Sequence, residues 1–136
     1  MTGDRSRWCC DDLDQAIELV LKRNRQGIRC ILDPLGELAK DSISAEKALS
    51  ATIQTIDAIS RNGLQASIAI KPTALGAAYD LDECLARSAK VTEMAWGKGI
   101  GVELDMELKR YVDETLHLAT FLISKGQGAI SIALQA

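Results

Sequence analysis

The 136-residue chain is 47% hydrophobic and 26% charged, enough apolar material for one sizeable core. A formal charge of -3 and an aromatic content of 4% exclude a basic nucleic-acid footprint and a base-stacking platform. No apolar run nears the ~20 residues of a membrane span, and the first ten residues lack the apolar stretch of a secretory signal. A cytoplasmic protein is expected, with at most peripheral contact with a membrane. The four cysteines, Cys9, Cys10, Cys30 and Cys84, form no zinc-type spacing and no CxxC pair, so no metal site is expected. Cys30 and Cys84 fall on apolar positions and are expected as buried, reduced thiols.

Residues 1–11 carry no periodic pattern and are expected to be poorly ordered. From Asp12 the apolar residues Leu13, Ala16, Ile17, Val20 and Leu21 share one helical face, with Asp12 and Gln15 at capping spacing and Gly27 as the stop. A strand follows from Ile28 to Leu32 and ends in Asp33-Pro34-Leu35-Gly36-Glu37. A second helix, from about Ser44 to Arg61, closes at Gly63. The run Gln65 to Ile70 is the second strand, and Lys71-Pro72 ends it because proline cannot donate to a sheet ladder.

Asp80 and Glu83 mark the cap of a third helix with Leu81, Cys84, Leu85, Ser88, Ala89, Thr92 and Trp96 inward. Gly97 and Gly99 end it, and the strand Ile100 to Leu104 delivers Asp105-Met106-Glu107. The last helix, about Leu108 to Lys125, is expected to turn Leu108, Tyr111, Val112, Thr115, Leu116, Ala119, Leu122 and Ile123 inward. Gly126 and Gly128 lead into a final strand, Ala129 to Leu134, that delivers Gln135.

One grammar recurs four times: amphipathic helix, basic residue, glycine, apolar strand, polar residue. Strand starts near 28, 65, 100 and 129 give the size of a βα repeat. Strands that read as apolar on both faces, joined by long crossovers, belong to a parallel sheet covered by helices. An open doubly wound sheet and a (βα)8 barrel both satisfy this. No glycine-rich phosphate loop follows the first strand, and every strand ends in a polar residue, which favours the barrel. A complete barrel takes about 250 residues and eight strands. The expected fold is therefore α/β, one partial barrel over residues 1–136 with only the first four βα units of a TIM barrel.

The motifs Leu32-Asp33-Pro34-Leu35-Gly36-Glu37, Ser67-Ile68-Ala69-Ile70-Lys71-Pro72-Thr73-Ala74-Leu75-Gly76, Glu103-Leu104-Asp105-Met106-Glu107 and Leu134-Gln135-Ala136 stand in this order. With that spacing, from about Asp12 onward, the chain resembles the amino-terminal half of the proline dehydrogenase barrel. The resemblance implies an FAD-dependent oxidation of L-proline to pyrroline-5-carboxylate by hydride transfer to the flavin. Lys71 would bind the proline carboxylate, and Asp105 would sit beside Lys71 and the flavin. Glu37 would gate the substrate pocket, Asp33 would support its charge network, and Met106 and Gln135 would contact the flavin. Pro72 replaces the family's usual serine. The family's arginine clamp and the tyrosines that pack on proline belong to the other half.

Without the resemblance, Lys71 and Asp105 read as a barrel-mouth ion pair and Glu37 as a solvated loop carboxylate. His117 falls off the apolar stripe and reads as a surface residue. Tyr79-Asp80 reads as a cap region, and Tyr111 and Trp96 as core packing. Two other functions fit the pattern. One is a non-catalytic half-barrel that pairs with itself or with a partner supplying the missing strands. The other is an aldolase-type barrel in which Lys71 forms a Schiff base.

Overall fold

The structure is a computed structural model that describes residues 9–36, 38–126 and 128–134. Its elements are α1 (Leu13–Arg25), β1 (Cys30–Leu32), α2 (Ser42–Arg61), β2 (Ala66–Ile70), α3 (Leu81–Gly97), β3 (Val102–Leu104), α4 (Val112–Lys125) and β4 (Ile130–Ile132). Short 3-10 turns cover Pro72–Leu75 and Lys109–Tyr111.

Each of the first three helices starts on an aspartate whose carboxylate accepts a backbone N–H three residues on. Asp12 takes that of Gln15 at 2.9 Å, Asp41 that of Ser44 at 2.8 Å and Asp80 that of Glu83 at 3.0 Å. The cap at Asp41, completed by the Ser44 hydroxyl as a capping box, starts α2 at Ser42, ahead of the expected Ser44. The exits repeat as well. The residue after each closing glycine donates its N–H back into the last helical turn: Ile28 to Arg23 at 3.0 Å, Leu64 to Ile59 at 3.0 Å and Ile100 to Ala95 at 2.8 Å. The repeated starts and stops hand each of these helices to its strand in the same way, and the strands all run in one direction.

The four strands are parallel and ordered β1-β2-β3-β4, with registers such as Ile31↔Ser67, Ala69↔Glu103 and Glu103↔Ser131. Each crossover steps to the next strand, and residues of all four helices share one core with the same face of the sheet, so every helix lies on that side. The order never reverses, so the sheet has no switch point of the doubly wound kind. This is the arrangement of consecutive barrel units.

Alternation along the strands separates two surfaces. Ile68, Ile70, Val102 and Leu104 are buried under the helices with Val20, Leu49, Ile56, Ile59, Val91, Leu118 and Leu122. The opposite face carries Ile31, Ser67, Ala69, Glu103 and Ser131, and Ile31 is 60% exposed there. The Ser67 hydroxyl donates to one Glu103 oxygen at 3.2 Å and the Ser131 hydroxyl donates to the other. The strands are thus apolar toward the helices and mixed on the other side, where Ile31 and Ala69 stand among Ser67, Glu103 and Ser131, which corrects the expectation of two apolar faces.

Other corrections are local. β1, β3 and β4 are three residues long, shorter than their apolar runs, and Ile28 is exposed ahead of β1. Leu108 precedes the last helix and is exposed, as are Leu116 and Ile123 on α4. α4 packs against α3, β4 and the two 3-10 turns, and its apolar stripe is wider than the surface they cover. Cys84 is buried, whereas Cys30 is only partly so. Trp96 is also half-buried, and its indole N–H donates to the Ala129 carbonyl at 3.0 Å.

Candidate active site

Lys71 follows β2 on the helix-free side, two positions beyond Ala69. Its Nζ lies 3.4 Å from Asp33 Oδ2 and 4.0 Å from Asp105 Oδ2. The lysine side chain is 12% exposed and both carboxylates are 38% exposed, so the charges meet at a rim and not in solvent. The backbone brings them together. The Asp105 N–H donates to the Ile70 carbonyl at 3.0 Å, extending the β2–β3 ladder one step and setting Asp105 level with Lys71. Asp33 leaves β1 immediately after Leu32. Three adjacent parallel strands therefore present one cation and two carboxylates at their carboxyl-terminal ends, the end at which barrel enzymes carry their chemistry.

Met106, next to Asp105, is buried. Glu37 and Gln135, the other two residues singled out from the sequence, lie outside the described residues. His117 is exposed on α4, as a surface residue. Pro72 does more than end a strand. It opens the 3-10 turn Pro72–Leu75, where its missing N–H is not needed and its fixed φ suits the geometry.

That turn rests on a residue the sequence did not single out. Arg87 on α3 is 7% exposed, and its guanidinium donates to Glu46 at 2.8 Å, Glu83 at 2.9 Å, Ser42 Oγ at 3.0 Å, Tyr79 Oη at 3.0 Å and the Leu75 carbonyl at 3.2 Å. Burial alone lowers the pKa of Arg87, but the bonds to Glu46, Glu83 and Tyr79 outweigh it and raise the value. The turn closes at Gly76 with φ +116, and a Cβ there would press on Arg87 Nη1 at 3.1 Å and Tyr79 Cε1 at 3.2 Å. Tyr79, expected only in a cap region, is thus part of the Arg87 cluster. The only sequence signal was an arginine among apolar neighbours on a helix.

Among the described residues no helix is long and apolar enough to cross a membrane. The family model described as proline dehydrogenase matches residues 16–136. Proline dehydrogenase 2 of Bacillus subtilis strain 168 is 29% identical over 108 residues, covering 79% of this chain and 36% of the relative. Proline dehydrogenase 1 of the same strain is 25% identical over the same length. The chain thus spans 36% of the length of the curated relatives it matches. Among solved structures, proline utilization A from Bdellovibrio bacteriovorus, inactivated by N-propargylglycine, has a TM-score of 0.80 at 21% identity, covering 91% of this chain and 16% of that one. A variant of proline utilization A from Bradyrhizobium japonicum has a TM-score of 0.72 at 20% identity, covering 93% and 14% respectively. A match over most of the chain, with the consecutive parallel βα units just described, leads to one conclusion: the chain belongs to the proline dehydrogenase family.

Proposed function

We propose that this chain carries part of an L-proline-oxidising site, in which Lys71 holds the substrate carboxylate and Asp33 and Asp105 orient the lysine. The observation that supports this is the Lys71 ammonium set between two carboxylates at the carboxyl-terminal rim. A compact ammonium on a flexible stem suits a carboxylate ligand as a point charge. Its low exposure strengthens that attraction relative to bulk water.

The same rim suits FAD. An isoalloxazine edge presents carbonyl oxygens and an imide N–H, and an ammonium and a carboxylate side by side match such alternating acceptors and donors. Lys71, Asp105 and the segment at Met106 would hold it, together with Gln135. When bound, the flavin supplies the two-electron acceptor for hydride from the proline carbon next to nitrogen. The helix-free face, with Ile31 exposed and Glu103 flanked by two serines, is the surface the remaining barrel strands would cover. A Schiff-base role for Lys71 is disfavoured, because an ammonium facing two carboxylates is a poor amine nucleophile.

The test is proline-dependent bleaching of bound flavin in the barrel completed with its remaining strands. Lys71→Met should raise KM for L-proline about 100-fold, the loss of one charge-assisted contact worth roughly 3 kcal/mol. Bleaching with unchanged KM in that variant would remove Lys71 from the site. No bleaching in the unsubstituted protein would remove the activity.

A further inference from the structure

The turn that follows Lys71 contains a residue that touches three loops at once. Thr73 is fully buried. Its backbone N–H donates to Glu107 Oε2 at 2.9 Å, and its hydroxyl donates to Glu107 Oε1. Glu107 stands two residues past Asp105, in the loop that leaves β3. On the other side the Leu38 N–H donates to Thr73 Oγ1 at 3.2 Å, and the Ala39 N–H donates to the Thr73 carbonyl at 2.9 Å.

Leu38 and Ala39 belong to the loop that leaves β1. Leu38 has φ +50, a left-handed conformation that L side chains adopt rarely and that persists only where the surroundings hold it. The hydroxyl of Thr73 supplies such a hold. The loops that carry Asp33, Lys71 and Asp105 are thereby tied to one another through a single buried side chain.

We propose that Thr73 and Glu107 are positioning residues. They form a latch that sets the spacing of the Lys71 ammonium from the Asp33 and Asp105 carboxylates, and so the fit of the anionic end of the substrate. Thr73 is too deeply buried to touch a ligand, so the latch acts through Lys71. The substrate half of this inference rests on the proline reading. The latch itself does not.

Thr73→Val keeps the shape and removes only the hydroxyl, so Glu107 loses a donor and the Leu38 N–H loses its acceptor. Amide exchange at Leu38 should accelerate about tenfold or more, while Ile68 and Val102 in the sheet stay within about twofold of wild type. In the completed barrel KM for L-proline should rise about tenfold with kcat within about threefold, the signature of a lost positioning contact. Thr73→Ser, which restores the hydroxyl, should return both measurements to the wild-type range. Unchanged exchange at Leu38, or faster exchange with unchanged KM, overturns the latch. Should Thr73→Val also loosen Ile68 and Val102, Glu107→Gln, which sets an amide donor against the Thr73 donors, decides by the same two readouts. A wild-type barrel that turns over no proline defeats the functional reading, and exchange at Leu38 then decides the latch alone.

Discussion

Replacing Arg87 with methionine keeps a linear stem in the core and deletes the guanidinium. Five acceptors lose their donor. The Glu46 and Glu83 carboxylates are 58% and 42% exposed, so water replaces much of what they lose and they contribute little to the cost. The Leu75 carbonyl is different. Leu75 is 1% exposed, and a buried acceptor stripped of its partner costs about 1–3 kcal/mol. With some lost packing around Ser42 and Tyr79, the expected destabilisation is about 2–3 kcal/mol. At a urea m-value of about 1.5 kcal/mol/M this moves the unfolding midpoint down by roughly 1.5 M. Arg87→Lys should recover only part of it, because one ammonium cannot span acceptors contributed by α2, α3 and the 3-10 turn. A methionine variant within about 0.5 kcal/mol of wild type would refute the view that this cluster anchors the turn behind Lys71.

Burial pushes the Cys84 thiol from 9.0 up to about 11, in spite of its contact with Ser88. The folded state therefore favours the neutral thiol. Its contribution to stability is complete below pH 9.0 and falls away between about 9 and 11 as the unfolded thiol ionises. At mildly alkaline pH a thiol reagent should modify exposed Cys9 first and reach Cys84 only on unfolding, and equal rates would contradict this. A Cβ at Gly128 would overlap the Trp96 ring, so Gly128→Ala should expel the indole and break its bond to Ala129. A red shift in tryptophan emission with lowered stability is the expected readout, and an unshifted spectrum would count against the contact.

The architecture was legible because its signals are local. Asp12 with Gln15 and Asp80 with Glu83 are caps that a few residues specify, and Gly27, Gly63 and Gly99 are exits of the same kind. Four such units in a row imply a consecutive parallel sheet. Asp33, Lys71 and Asp105 were legible as a group because each occupies the first position past a strand, and the register does the rest.

The supports behind them were not legible. Arg87 meets Glu46 and Ser42 across 41 and 45 residues, and Thr73 meets Glu107 across 34, so no short window contains either partnership. Periodicity also overcounted burial on α4. Leu116 and Ile123 fit the stripe, but a helix buries only as much of its stripe as its neighbours cover. The polar layer of Ser67, Glu103 and Ser131 was hidden for a related reason. Single polar residues inside short apolar runs look incidental until the pairing lines them up.

The alternation that turns Ile68 and Ile70 toward the helices, and Ala69 and Lys71 away from them, divides the strand between two tasks. Packing depends on one set of positions and, on the proposed reading, ligand chemistry on the other. Changes at positions 69 and 103 can thus reshape what the inner surface accepts without loosening the hydrophobic layer, and changes at 68 or 102 do the reverse. Selection can adjust specificity and durability in such a sheet nearly independently, one parity of residue at a time.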